Sequence, residues 1–200
     1  MHARVNTFYG DQDKIEDGIA HLEGSDRAVV EATAGNLGLT TLVDREAAVI
    51  VAVSYWDEPA LSWNATLTRA REDAAAAAGG NLVVESYEVT AQDRMSVPLP
   101  GATVRAGRMQ IDAAKLTDGQ AFVRDEVLPR LRVGSGFCGA EFLVDSDAGT
   151  GLLLTVWAGE DAATWGDSVL DQLQEEAVER VGAKLPRAET YALVRGWASA

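Results

Sequence analysis

Apolar residues along this chain arrive in two rhythms, and the order of those rhythms is used twice. Val5 to Tyr9 reads as a short strand, and Ile15, Ile19 and Leu22 then fall on one helical stripe. Leu37 to Val43 and Ala48 to Trp56 are two further strands, joined as a hairpin by Asp44-Arg-Glu46. The run from Ala48 to Trp56 is apolar at nearly every position, which predicts a strand covered on both faces. Gly24-Ser-Asp26 either interrupts the first helix or recaps it before Arg27 to Ala34. A second helix is expected from Glu58-Pro59, with proline in a helical first turn, through Leu61, Ala65, Thr68 and Ala74 to Ala78. Gly79-Gly80 ends it, and Leu82 to Val89 is a fourth strand.

After Ala91 the pattern breaks. The segment to Gly101 has two prolines, a glycine and no periodicity, and reads as a linker. Val104 to Ile111 then restarts the series as a strand. Leu116, Gln120, Val123, Val127 and Leu131 trace a helical face in which Pro129 is expected to kink the helix or end its regular bonding. Phe137 to Val144 and Gly151 to Trp157 form a hairpin, Trp165, Val169, Leu173 and Ala177 share one helical face, and Arg187 to Trp197 closes the set as a strand.

The two series align residue by residue. Lys14-Ile-Glu-Asp-Gly18 matches Lys115-Leu-Thr-Asp-Gly119, Gly38 matches Gly139 and Trp56 matches Trp157, all at one offset of 101 residues. Glu85-Ser-Tyr87 matches Glu189-Thr-Tyr191 after a slip in the second helix, a repeat that points to shared architecture. So long a period means duplicated domains rather than a solenoid. Each copy reads strand, helix, strand, strand, helix, strand, the ferredoxin-like βαββαβ order. The expected class is α+β, with one domain over residues 1–91, a linker over 92–101 and a second domain over 102–200. A single copy has helices on one face of its sheet only, so the tandem copy is expected to cover the other face, closing an intramolecular dimeric α+β barrel.

Composition narrows the partners. Thirty-one acidic residues against 17 basic ones leave a net charge of −14, which repels nucleic-acid phosphates and anionic membrane surfaces, so neither is an expected partner. The start of the chain lacks a secretory pattern and no stretch is long and apolar enough to span a bilayer, so a cytoplasmic protein is expected. Cys138 is the single cysteine and reads as a small buried hydrophobe. His2 and His21 have no companion at metal spacing, no glycine-rich phosphate loop follows a strand, and there is no Gly-x-Ser-x-Gly elbow. Neither a metal nor another cofactor is expected.

Gly136-Phe-Cys-Gly139, Glu141-Phe-Leu143, Gly151 to Trp157 and Ala163-Thr-Trp165 together resemble the antibiotic-biosynthesis-monooxygenase (ABM) domains of the dimeric α+β barrel superfamily. Gly35-Asn-Leu-Gly38, Trp56 and Ala60-Leu-Ser-Trp63 repeat the resemblance in the first half. It implies two ferredoxin-like units, and a family of cofactor-independent oxygenases of aromatic polyketides, haem-degrading enzymes and members with no assigned reaction. In the haem-degrading branch an Asn on the first strand and a Trp in the last helix are matched here by Asn6 and Trp63. The iron-binding His is not matched: its place falls near Glu72-Asp73 or Gln174, and neither offers an imidazole. Haem degradation is therefore disfavoured.

The candidate ligand-binding residues are Asn6, Trp63, Arg108 and Trp165; no catalytic residue is assigned. Trp63 and Trp165 are either walls of pockets between helices and sheet or anchors that pack their helices. Asn6, an amide in an apolar strand, either holds a ligand oxygen or is satisfied by neighbouring backbone. Arg105 and Arg108 are an odd number of residues apart and point to opposite faces of their strand. One is placed to bind a carboxylate or phenolate, the other to meet solvent or an acid such as Glu189. The expected function is binding of a small apolar or aromatic molecule, with cofactor-independent monooxygenation as its chemistry. The alternative is a non-catalytic structural or regulatory protein. A monomer with internal pseudo-two-fold symmetry and a further homodimer both fit.

Overall fold

The computed structural model describes residues 1–182 and 188–197, in two compact units. Unit 1 takes in Met1–Tyr87 together with residues from Ala192 onward, and unit 2 is Glu88–Tyr191. The units therefore divide within strands rather than at the expected linker. The chain leaves unit 1 partway along β4 (Asn81–Arg94) and returns to it partway along β8 (Glu189–Arg195).

In unit 1, β1 (His2–Tyr9) and β2 (Asn36–Asp44) flank β3 (Val49–Trp56), both antiparallel to it. Asn6 lies opposite Ala52, and Arg4 opposite Ser54. With β4 beside β1 the hydrogen-bonded order is β4-β1-β3-β2, that of a ferredoxin-like sheet. β2 gains a further neighbour from the distant end of the chain, where Leu193 pairs with Leu42 and Ala192 with Val43. Alternation along the strands sends Phe8, Leu39, Val43, Ile50 and Ala52 to one face, where they pack against Ile15, Ile19, Leu22, Ala74 and Ala78 of the helices. Val5, Leu42, Val53 and Tyr55 on the opposite face are also fully enclosed, so β3 is covered on both sides as its apolar run requires.

Unit 2 repeats the plan. β5 (Thr103–Gln110) and β6 (Phe137–Asp145) flank β7 (Thr150–Trp157), and β8 lies beside β5. The hairpin turns are built alike: Asp44 Oδ1 accepts from the amides of Glu46 and Ala47, and Asp145 Oδ1 from those of Asp147 and Ala148, all at 3.0 Å. Trp56 Nε1 donates to Ser54 Oγ and Trp157 Nε1 to Thr155 Oγ1, both at 2.9 Å. Tyr87 and Tyr191 each donate a phenol proton to the glutamate two residues before, Glu85 and Glu189. Side-chain bonds repeated at this level of detail are what a duplicated gene leaves behind.

The helices refine the sequence reading. α1 (Ile15–His21) and α2 (Arg27–Ala32) are joined by a wide turn over Leu22–Asp26, in which Gly24 leaves helical geometry at φ −90°, ψ −107°. In unit 2 the same wide turn, Val123–Val127, joins α4 (Leu116–Phe122) to α5 (Leu128–Arg132) just before Pro129, which has no N–H to give to a regular turn. The helix expected from Glu58 starts later. Pro59–Ser62 makes one tight turn, Trp63 breaks it, and α3 (Ala65–Ala78) begins where Asn64 Oδ1 caps the Leu67 amide at 2.9 Å. Gly79, at φ 73°, ends α3 in the left-handed region. Gly80 then passes so close to β1 that an added Cβ would lie 1.6 Å from the Tyr9 carbonyl oxygen.

The linker expected over 92–101 starts later as well. Gln92, Asp93 and Arg94 still pair with Glu141, Ala140 and Gly139 of β6, an edge that their polar side chains did not advertise. α6 (Glu160–Gln172) and α7 (Gln174–Val181) follow β7. The strand expected over 187–197 is observed as Glu189–Arg195; Arg187 lies outside the described residues. Among the described residues no helix is long and apolar enough to cross a membrane.

Candidate functional site

Unit 1 encloses a small cavity of about 30 Å³ between its sheet and its helices. β1 contributes Asn6 and Phe8, β3 contributes Ala52 and Trp56, the wide turn contributes Leu22 and Asp26, and α3 contributes Leu67 and Arg71. The walls are mostly apolar, but three polar groups end there with a hydrogen-bonding atom unused: Asn6 Oδ1, Asp26 Oδ2 and Arg71 Nη1. Buried polar atoms are nearly always paired, with protein or with ordered water, so three such atoms on residues that line one cavity make it the candidate site.

Asn6 is 5% exposed, and its Nδ2 donates to the carbonyls of Ala52 (3.1 Å) and Arg4 (3.4 Å). Of the two sequence alternatives, satisfaction by neighbouring backbone is the one observed for the donor end. Backbone takes the donor end of the amide, and the acceptor end faces the cavity, where it suits a ligand O–H rather than a bare oxygen.

Asp26 is 6% exposed and was legible in the sequence only as part of a helix interruption. Burial raises its carboxyl above the ordinary carboxylate value; Asp73 adds to the rise, while His21 and a bond from Ser25 oppose it. His21 Nε2 stands 3.4 Å from Asp26 Oδ1. A buried carboxyl with a raised pKa, one oxygen unpaired and an imidazole behind it has the attributes of a proton acceptor.

Arg71 sends Nη2 to the Ser62 carbonyl at 2.7 Å. Next to it is Arg4, 3% exposed, whose Nε and Nη2 both donate to Ser62 Oγ at 3.1 and 2.6 Å while Nη1 has no partner. Trp63 lies against this pair, with the Arg4 and Arg71 guanidinium carbons 4.2 and 5.3 Å from its ring centroid. The ring is 55% exposed. Trp63 is therefore neither a wall of the cavity nor a buried anchor: the chain breaks at Trp63, before α3, and leaves the ring on the surface as a platform for two cations.

The other two candidates lie in unit 2 and do not line this cavity. Trp165 is half-buried, packs edge-to-face on Trp157 at 6.1 Å and borders an open depression of about 750 Å³ with Gly134 and Gly136. Arg108 donates to Glu189 at 3.0 Å, the acidic neighbour anticipated for one of the two strand arginines. Arg105, on the other face, meets Glu160 at 2.6 Å and Asp167 at 3.0 Å. Both arginines thus already meet carboxylates.

Register shows what unit 2 has in place of the unit 1 cavity. The equivalents of Asn6, Asp26 and Ala52 are Gly107, Val127 and Leu153, and Val127 and Leu153 are buried in a continuous apolar core. The arginine is retained, Arg4 matching Arg105, but among the described residues its ion pairs are not. The positions of α3 nearest the Asp167 equivalent are Ala65 and Thr66. No group of three or more His, Cys, Asp or Glu residues placed to hold a metal ion occurs among the described residues.

No family model matches the chain. It is 28% identical over 187 residues to the uncharacterized protein Rv2557 of Mycobacterium tuberculosis, covering 92% of this chain and 83% of that one. Among solved structures, an anthrone oxidase-like protein superposes with a TM-score of 0.71 at 14% identity, covering 97% of this chain and 91% of that one. A candidate monooxygenase from Fusobacterium nucleatum gives 0.70 at 14% identity, covering 96% and 91%. A ferredoxin-fold protein from Listeria monocytogenes, described as related to antibiotic biosynthesis monooxygenases, gives 0.50 at 11% identity, covering 97% and 95%. Identities this low speak to fold rather than chemistry, and the fold they show is the tandem ferredoxin-like, ABM-like one that the repeated strands and tryptophans had suggested.

Proposed function

We propose that unit 1 binds a small, largely apolar, aromatic molecule bearing an ionisable proton, and that it promotes the reaction of that molecule with dioxygen. The carrying observation is the apolar cavity into which Asn6 and Asp26 each turn an unpaired oxygen. Asp26, whose raised pKa brings it nearer to neutrality, takes the proton, and Asn6 Oδ1 accepts a hydrogen bond from a ligand hydroxyl. The resulting carbanion or phenolate supplies the electrons. Overall, an activated CH2 and O2 become a carbonyl and water, the second oxygen atom leaving with both hydrogens. The apolar walls exclude bulk water and favour neutral oxygen over charged competitors.

The cavity holds about one water molecule, whereas an engineered cavity that takes benzene is roughly five times larger, about 150 Å³. Binding of a ring thus requires the walls to part. The wide turn at Leu22–Asp26 is the natural place, because Gly24 has nothing within 4 Å of where a Cβ would stand. The small volume also favours the competing reading, a non-catalytic structural or regulatory protein. One experiment separates them: titrate 1-naphthol and a hydroquinone against the protein, following tryptophan fluorescence, and record oxygen uptake with and without Asp26→Asn. Saturable binding with oxygen uptake that falls at least tenfold in the variant supports catalysis. Binding without uptake supports a sensor or carrier, and no binding removes the ligand reading.

A further inference from the structure

We propose that Arg4 and Arg71 form a receptor for the anionic group, a carboxylate or similar oxyanion, of the molecule bound in the unit 1 cavity. This rests on the cavity being a ligand site and narrows its occupant from aromatic molecules in general to aromatic acids.

Buried guanidinium groups in this protein otherwise meet carboxylates. Arg27 is held by Glu23 and Glu31, Arg94 by Glu141, and Arg105 by Glu160 and Asp167. Arg4 and Arg71 are different. Among the described residues neither forms an ion pair, both bond the neutral residue Ser62, both lie on the Trp63 ring, and each retains a buried Nη1 with no acceptor. Burial and the charge of Arg71 lower Arg4 to about 10, and burial lowers Arg71 as well, so the two cations are held together at a cost that only neutral partners, Ser62 and the Trp63 ring, offset. In a chain of net charge −14, carboxylates are plentiful, yet the helix positions equivalent to Asp167 carry Ala65 and Thr66, and Glu58, which stands where unit 2 has Glu160, forms no ion pair with Arg4.

A small oxyanion supplies what is missing: acceptor oxygens for the unused N–H groups and a negative charge between two positive ones. Arg71 lines the cavity, so an anion on its guanidinium is continuous with a ring in the apolar space beside Leu67 and Phe8. Trp63 is a flat, solvent-facing platform over the same arginines and keeps them in place when the site is empty.

The test titrates matched probes, 1-naphthoate and 1-naphthol, against the wild type, Arg71→Gln and Arg71→Lys at constant ionic strength, with sodium sulfate against potassium chloride as a small-anion control. In the wild type 1-naphthoate binds at least tenfold more tightly than 1-naphthol. That ratio falls to about one in Arg71→Gln and is largely kept in Arg71→Lys, which preserves the charge. Equal affinities for the two probes in the wild type, or an unchanged ratio in Arg71→Gln, overturn the receptor and leave the cavity reading standing. If neither aromatic binds but sulfate raises the melting temperature of the wild type and not of Arg71→Gln, the anion receptor stands and the cavity reading fails. If sulfate and both aromatics are without effect, both fail.

Discussion

Replacing Asp26 with valine, the residue that unit 2 carries at the equivalent position, is expected to stabilise the protein at neutral pH and to abolish any proton transfer in the cavity. Asp26 is 6% exposed with Oδ2 unpaired, and an unsatisfied buried polar atom costs about 1–3 kcal/mol. Against this, the variant loses the 3.4 Å contact with His21; that imidazole is about one third exposed, which limits the loss to well under ~1 kcal/mol. The net expectation is about 1–2 kcal/mol of added stability at pH 7. The Asp26 carboxyl is raised on folding, mainly by burial, so below the ordinary carboxylate value it is protonated in both states and folding carries no ionisation penalty. As pH rises past that value the unfolded chain releases its proton first, and the wild type loses stability until the folded group has ionised too. Valine has no proton to lose, so the advantage of Asp26→Val grows from about pH 4 upward and then levels off. Urea denaturation of both proteins at intervals from pH 3.5 to 8, followed by tryptophan fluorescence, measures it. A stability difference that is flat over that range, or a variant less stable than the wild type at pH 7 by 1 kcal/mol or more, would refute the account of Asp26 as a strained buried acid.

Three other substitutions probe the frame around the site. Leu67→Ala removes a 2% exposed side chain from the cavity wall; about 2.4 kcal/mol is lost with its three carbons and about 1 kcal/mol with each further 40 Å³ left empty, so about 3–4 kcal/mol in urea denaturation, part of which saturating indole returns. Arg27→Leu copies Leu128 of unit 2 but strands Glu23, the Leu39 carbonyl and the Thr41 hydroxyl, so denaturation should show a loss of about 2–4 kcal/mol; adding Thr41→Phe, the Phe142 equivalent, should recover part of it. Gly80→Ala drives a Cβ to 1.6 Å from a backbone oxygen of β1, a clash no rotamer relieves, and near-ultraviolet circular dichroism should show loss of fixed tertiary packing.

Much of the fold could be read from the sequence because hydrophobic period and repetition are local properties. β3 is buried along its whole length and β7 from Gly151 onward, and the Trp56 and Trp157 matches predicted from the offset carry the same indole bond to the residue two before. Pairings made by polar strand residues were not legible, which is why β4 outruns the expected boundary through Gln92–Arg94. At the site, Asn6 could be found because an amide in an apolar strand is conspicuous. Asp26 could not, because Gly-Ser-Asp in a helix reads as punctuation until the wide turn is seen to carry the carboxyl into the core. Arg4 and Arg71 were missed for a related reason: an arginine is ordinary on a strand or a helix, and only coordinates reveal that these two form no ion pair among the described residues, whereas Arg105, the counterpart of Arg4, forms two. Comparing Asp167 with Ala65 and Thr66 of the first half would have been the available signal.

The two halves also provide an internal control on what the fold requires. Unit 2 builds the same sheet and the same wide helical turn with Gly107, Val127 and Leu153 where unit 1 has Asn6, Asp26 and Ala52, and it closes them into continuous apolar packing. Polar groups at those positions are therefore unnecessary for folding. They are also expensive: three unpaired buried atoms at about 1–3 kcal/mol each approach the whole net stability of a typical domain, about 5–15 kcal/mol. A filled copy was within reach by the same substitutions that unit 2 displays. Retention of the unpaired set in unit 1, beside two arginines that form no ion pair among the described residues, is hard to account for by stability and straightforward to account for by a ligand that completes the bonds when it binds. On that reasoning unit 2 is the copy that specialised in packing, and unit 1 is where a search for substrate belongs.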